Sequence, residues 1–151
     1  MNVRAATLTD FDALIALGHM MHAESTNAFP AIEPERFRTH LMLAQERPDL
    51  VLIAVADTGR NVIGMVTAVA GDYVFSRERR AVGDLLFVHP QHRRWSTARA
   101  LLDRFEAWGK EVGARQALLG STTGVDPSGF ARLLGRHGYT SRGTVYAKEI
   151  A

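Results

Sequence analysis

Apolar residues near the start of the chain recur at three- and four-residue steps, with Phe11, Leu14, Ile15, Gly18 and Met21 standing behind a polar entry of Thr9, Asp10 and Asp12. That spacing puts one apolar stripe along a helix and predicts helix over residues 9–23. A polar, proline-bearing stretch follows at 25–30. Glu33 and Pro34 then open a second helix, with Phe37, Leu41 and Ala44 in register, that must end before Pro48. Here the period changes. Continuous apolar runs at 50–56 and 62–70, separated by the turn residues of 57–61, predict a hairpin, and Gly71-Asp72 is expected to break its second strand. A further β-branched and aromatic run at 82–88, stopped by His89-Pro90, predicts a third, well-buried strand.

The third helix has the strongest pattern. Ala98, Leu101, Leu102, Phe105, Trp108 and Val112 form a stripe opposite Arg99, Asp103, Glu106 and Lys110, and Gly113 ends it. Beyond it a short strand at 117–119, a Gly/Ser/Thr loop at 120–126, a helix at 127–137 closed by Gly138, and a final strand at 144–149 are expected. With no repeat, low-complexity tract or linker, this order describes one α/β domain built in layers.

Length and composition agree with that reading and narrow the chemistry. A chain of 151 residues, 46% hydrophobic and 23% charged, fits a single domain with a substantial core. No apolar run approaches the roughly 20 residues of a bilayer span, and the start Met1-Asn2-Val3-Arg4 lacks a signal-peptide core, so the expectation is a cytoplasmic protein. The chain has no cysteine, which excludes a disulfide, a thiolate metal site and a cysteine nucleophile. His19 and His22 share a helix face, but without further ligands they do not make a metal site.

Charge is unevenly distributed. The net charge is +2, yet residues 77–104 hold seven arginines (77, 79, 80, 93, 94, 99 and 104) against Glu78, Asp84 and Asp103, a local +4 that leaves the remainder at −2. Arginine's planar fork suits phosphate and carboxylate. Within this segment the run from Val88 to Leu102 passes from a strand through a basic loop into a helix whose first turn offers Ser96, Thr97, Ala98 and Arg99, with no acid before Asp103. A helix start of this kind binds anions through free backbone N–H groups and the positive end of the dipole. The same segment could serve nucleic acid, but basic residues and aromatics would then spread along a face, and the remaining chain is net acidic.

These residues carry a family resemblance. Arg93-x-x-Ser96-x-Ala98 followed by Leu101-Leu102 resembles the central motif of the GNAT acyltransferases. So do Val3-Arg4-Ala5-Ala6-Thr7 with Asp10 as first strand and helix entry, Val62-Ile63-Gly64 in the third strand, and Gly138-Tyr139 as the closing Gly-aromatic pair. Met21-His22-Ala23-Glu24-Ser25 and the loop Ser121-Thr122-Thr123-Gly124 are similar to segments of a bacterial and phage subgroup. The resemblance implies a single domain over 1–151 with a mixed, mostly antiparallel sheet flanked by about four helices. It implies transfer of an acetyl group from acetyl-CoA to a small-molecule or protein amine, with no nucleic-acid or membrane partner, and it leaves room for a homodimer through the final strands.

It also implies site residues. Phe87, Val88, Arg93, Arg94, Trp95, Ser96, Thr97, Ala98 and Arg99 fall in the cofactor segment, with an oxyanion donor from the backbone near Phe87 or Val88. Asp84 is the first candidate for general base; Glu24 is the second, and His22 and Glu24 belong to the acceptor wall. Two departures matter. Ser96 and Arg94 stand where the family favours glycine, and Leu134 occupies the place of its frequent tyrosine acid, leaving Tyr73, Tyr139 and Tyr146 as substitutes. A CoA-binding module without catalysis is the competing expectation. With no cysteine to carry the acetyl group, direct attack by the amine in a ternary complex is favoured.

Overall fold

The computed structural model describes residues 1–27 and 30–150, so Ala28 and Phe29 of the proline-bearing stretch lie outside it. Five strands form one sheet in the order β1 (Asn2–Ala5), β2 (Val51–Asp57), β3 (Val62–Tyr73), β4 (Ser76–Val88) and β5 (Ala114–Leu119). All neighbours are antiparallel except β4 and β5, which run parallel. The described residues also form four α-helices: α1 (Phe11–Glu24), α2 (Pro34–Glu46), α3 (Trp95–Glu111) and α4 (Pro127–Arg136).

The unbroken apolar run of β2 reflects burial on both faces. Val51, Ile53 and Val55 point into a core with Phe11, Leu14 and Leu17 of α1 and Leu41 of α2. Leu52, Ala54 and Ala56 point the other way, into a core with Leu101, Leu102, Phe105 and Trp108 of α3 and Leu133 of α4. The result is a sheet between two helical layers. Trp108, the largest residue of the α3 stripe, donates its indole N–H to the Pro48 carbonyl at 2.7 Å, which ties α3 to the loop entering β2.

The structure changes three sequence expectations. Gly71-Asp72 does not break β3: both residues stay in the ladder opposite Arg80 and Arg79, and the turn falls at Val74 and Phe75. Consequently β4, the strand expected at 82–88, begins at Ser76. The expected strand at 144–149 does not form. Residues 140–150 are irregular and exposed: a strand needs a neighbour, and this segment pairs with none among the described residues. Gly113 and Gly138, with φ of 73° and 79°, do terminate α3 and α4 in the left-handed region.

Arg4 anchors the start of the chain. Its guanidinium forks onto the Asp10 carboxylate at 2.8 and 2.9 Å, while its Nη2 and Nε reach Asp57 at 2.8 and 3.1 Å. Asp10 is buried and also accepts from the Thr7 backbone N–H at 2.8 Å. The Arg4 hydrogen bonds, outweighing the burial that opposes them, hold the Asp10 carboxyl below its usual range. A depressed carboxyl pKa contributes stability that is complete above the unfolded-state value and is lost as pH falls through the folded-state value. Asp10→Asn should therefore cost about 2 kcal/mol near pH 7, and the stability gap between it and the parent chain should narrow below pH ~4, read by urea denaturation across pH.

Candidate functional site

Strand β5 follows β4 only as far as Gly83, which pairs with Leu119. Past that point the two strands part. The gap is a cleft of about 250 Å³ with residues 84–88 of β4 on one wall and residues 120–123 of the following loop on the other. Arg93, Arg94 and Trp95 close one end with the start of α3, and Phe130, Arg132 and Leu133 of α4 cover the side. Along 84–88 the strand keeps β3 on one edge and has no strand on the other, so backbone polar groups of that edge face the cleft.

Asp84 sits where the strands separate. It is the extra residue of a β-bulge, since Gly83 pairs with Ala68 and Leu85 with Thr67, its neighbour on β3. Asp84 is an exposed residue lining the cleft; the protein around it raises its carboxyl pKa by desolvation, while His40 of α2 pulls the other way.

The start of α3 is left open. Arg94 is the N-cap residue with no side-chain cap, the first turn has no acid, and Thr97 and Ala98 direct their N–H groups to the Arg94 carbonyl at 3.0 and 3.3 Å. The N–H groups of Trp95 and Ser96 have no partner among the described residues. Ser96 and Arg99 are exposed, with Arg99 3.6 Å from Asp103; Thr97 is buried beneath the turn, and Ala98 lines the cleft. Trp95 is 40% exposed, and the Arg136 guanidinium lies 4.7 Å above its ring. These features fit an anionic ligand at the helix start.

Arg93 is committed otherwise. Its Nη2 donates to both carboxylate oxygens of Glu24 at 2.8 and 2.7 Å, its Nε to the Val88 carbonyl at 3.1 Å, and its guanidinium lies 5.3 Å above the Phe87 ring. Glu24 thereby joins the end of α1 to the basic loop, and its carboxylate is already paired. His22 is not among the residues lining the cleft; its Nε2 is buried without a hydrogen-bond partner.

Of the seven arginines in 77–104, only Arg93 and Arg94 line the cleft. Arg79 donates to the Val112 carbonyl at the end of α3, Arg104 pairs with Glu111, and Arg80 packs over Tyr73. Arg132 of α4 lines the cleft from outside that segment; sequence reasoning missed it because the helix that carries it is distant in the chain. None of the three tyrosines lines the cleft. The Tyr73 hydroxyl donates to Gln116 at 2.6 Å, Tyr146 is 90% exposed, and Tyr139 packs against the α3-side core with its pKa raised mainly by burial, then by Glu106. Leu134 packs against the same core.

Two loops close the far end. The Thr26 N–H and the Ser25 hydroxyl donate to the Thr123 carbonyl at 2.9 and 2.8 Å, and the Asn27 amide donates to the Thr122 carbonyl at 2.7 Å. Gly124 turns the chain there with φ of 74°, and a Cβ on it would run into Thr26 Oγ1. A second concavity, about 400 Å³ in volume, lies between Arg4, Asp10 and Asp57. Its Arg4, Asp10 and Asp57 side chains are already bonded to one another, and the β4–β5 cleft, with its free strand edge, is the candidate site. Among the described residues no group of three or more His, Asp or Glu could hold a metal ion, and no helix is long and apolar enough to cross a membrane.

Comparison with known proteins agrees with this architecture. The family model described as acetyltransferase (GNAT) family matches residues 18–139. Among solved structures, the chain is similar to a ribosomal-protein-alanine N-acetyltransferase from Brucella melitensis biovar Abortus 2308, with 17% identity, TM-score 0.75 and coverage of 99% of this chain and 100% of that one. An aminoglycoside antibiotic 6'-N-acetyltransferase from Acinetobacter haemolyticus gives 17% identity and TM-score 0.71, each chain covered fully. A glucosamine-6-phosphate N-acetyltransferase from Arabidopsis thaliana gives 11% identity and TM-score 0.73, over 99% of this chain and 98% of that one. No curated protein matches the chain in sequence.

The clasp between the two loops yields a direct test. Gly124→Ala must place a side chain in the left-handed region and against Thr26, so it should lower stability by about 1–2 kcal/mol. Thermal unfolding would measure that loss, and hydrogen exchange at the Thr26 amide should quicken by more than the global loss requires.

Proposed function

Since the chain belongs to the acetyltransferase (GNAT) family and is an enzyme of that type, we propose that its cleft moves an acetyl group from acetyl-CoA to an amine acceptor by direct attack in a ternary complex. Acetyl-CoA supplies the acetyl group as a thioester. The observation that carries the reading is the placement of the Asp84 carboxylate and the open N-terminus of α3 in one cleft.

Each residue then has a task. The Trp95 and Ser96 N–H groups, with Arg94 and Arg132 beside them, receive the phosphates of the cofactor; small side chains at Ser96 and Ala98 let the ligand approach the backbone. The free edge of β4 near Phe87 and Val88 offers N–H donors to the developing oxyanion. Asp84 accepts the proton that the attacking amine must lose; desolvation raises its pKa, which makes it a stronger base than an ordinary carboxylate. Glu24 acts through Arg93, holding that guanidinium against the Val88 carbonyl and Phe87. Ser25 and Asn27 build the acceptor wall with Thr122 and Thr123, and His22 does not line the cleft. No tyrosine hydroxyl reaches the cleft to protonate the departing thiolate. A thiol of pKa about 8.5 is a tolerable leaving group unaided.

Two measurements test this. Thiol release with an amine panel should show kcat for Asp84→Asn reduced about 10²–10⁴-fold. In the parent enzyme the rate should fall as pH drops through the raised Asp84 pKa, and the variant should lose that limb. Unchanged turnover in Asp84→Asn would remove Asp84 from the chemistry. For the cofactor, isothermal titration with acetyl-CoA should find binding abolished in Ser96→Glu, whose carboxylate would face the phosphates; an unchanged Kd would put the anion site elsewhere.

A further inference from the structure

Consecutive residues at the end of α1 reach both sides of the cleft. Glu24 takes the Arg93 guanidinium on the β4 side, while Ser25, Thr26 and Asn27 donate to the Thr123 and Thr122 carbonyls on the β5 side. Arg93 in turn donates its Nε to the carbonyl of Val88, the last residue of β4, at 3.1 Å and lies over the Phe87 ring. A closed ring results. It runs from Val88 through Arg93 and Glu24 to residues 25–27, then through 123–119 into the β4–β5 ladder at Gly83, and it spans the opening that the ladder leaves unpaired.

One link of the ring differs from the others. The clasp at Thr123 includes a backbone bond, from the Thr26 N–H at 2.9 Å, and the β4–β5 junction is a ladder, whereas Glu24 and Arg93 meet through side chains alone. Glu24 is also the last residue of α1, where the negative end of the helix dipole disfavours a carboxylate, so its placement depends on a cation. The Arg93 and Glu24 side chains are 35% and 32% exposed, and a pair so open to solvent adds little stability. What it supplies is geometry.

We propose that Glu24 is a positioning residue: through Arg93 it fixes the Phe87–Val88 edge against residues 25–27, and the pair stays closed when the cofactor binds, so that Arg93 is a tie and not a phosphate ligand. This rests on the acetyl-transfer reading given above and sets Arg93 apart from the other cleft arginines. Arg94 and Arg132 line the cleft without a carboxylate partner among the described residues, so the phosphates find cations while the pair remains intact. Turning Arg93 toward a phosphate would release the Val88 carbonyl and the Phe87 ring just where the oxyanion donors must stay fixed. It would also leave Glu24 unpaired at the wrong end of α1.

Two full-length variants test the tie, Glu24→Gln and Arg93→Lys. Hydrogen exchange on the free protein reads the ring: Arg93→Lys, whose ammonium cannot hold Glu24, Val88 and Phe87 together, should quicken exchange at the Thr26 amide by more than its global loss of stability requires. Isothermal titration should find the Kd for acetyl-CoA of both variants within about twofold of the parent value, and in thiol release kcat should fall about 10²-fold with little change in KM for the amine. Acetyl-CoA bound severalfold more tightly by Glu24→Gln, or severalfold more weakly by Arg93→Lys, would overturn the proposal and make Arg93 a phosphate ligand that Glu24 holds back. Unchanged kcat in both variants would overturn it too, as would unchanged Thr26 exchange in Arg93→Lys. A parent chain that takes up no acetyl-CoA would sink the acetyl-transfer reading instead, and exchange at Thr26 would still decide whether the tie exists.

Discussion

Everything functional in this fold depends on the separation of β4 from β5 after Gly83. A parallel pair that continued to Val88 would have buried the backbone of 84–88 in a ladder and left no cleft. Separation instead exposes one edge of a strand that is otherwise held on both faces, by Phe87 in one core and Val88 in the other. The wall is therefore rigid where the chemistry needs it fixed and open where a ligand must reach it. The loop that leaves β5 has to cross the gap, and it is stabilised by the Ser25, Thr26 and Asn27 bonds to Thr122 and Thr123 rather than by sheet pairing.

The basic segment contributes less as a patch than as separate fittings. Arg79 caps the carboxyl end of α3, Arg104 pairs along the same helix, and Arg80 covers an aromatic ring. Only Arg94, at the helix start, is a cleft arginine of that segment without a carboxylate partner among the described residues, and Arg132 joins it from α4. Arg93 links instead of binding freely: through Glu24 it couples the end of α1 to the loop that precedes α3. An anion near that loop must compete with a bidentate carboxylate for Arg93, whereas the N–H groups of Trp95 and Ser96 meet no such competition.

Periodicity made both helical layers legible, because apolar stripes on α1, α2 and α3 and the two-sided burial of β2 and β3 are direct consequences of local spacing. The helix start that forms one end of the cleft was legible for the same reason: strand end, basic loop and acid-free first turn are contiguous in the chain. What depended on pairing was not legible. The continuation of β3 through Gly71 and Asp72 is decided by Arg79 and Arg80 across the hairpin, and the failure of 144–149 to form a strand is decided by the lack of a neighbour. Likewise the commitment of Glu24 to Arg93, 69 residues away, leaves no trace in the spacing of either. Arg132 and the loop clasp are of this kind, contacts between segments that meet only after the sheet is built.

The bulge at Asp84 has a consequence for how this strand can vary. Gly83 and Leu86 face the same core, and Leu85 and Phe87 face the other, so excision of Asp84 alone would leave a regular ladder with every apolar side chain still on its proper side. Packing has no use for the residue. A one-residue deletion is ordinarily ruinous in a central strand because it turns the downstream half inside out; here it would keep residues 85–88 on their proper faces and would remove the one carboxylate of residues 84–88. The two core faces of β4 therefore do not depend on Asp84, whose part is confined to the bulge and the cleft.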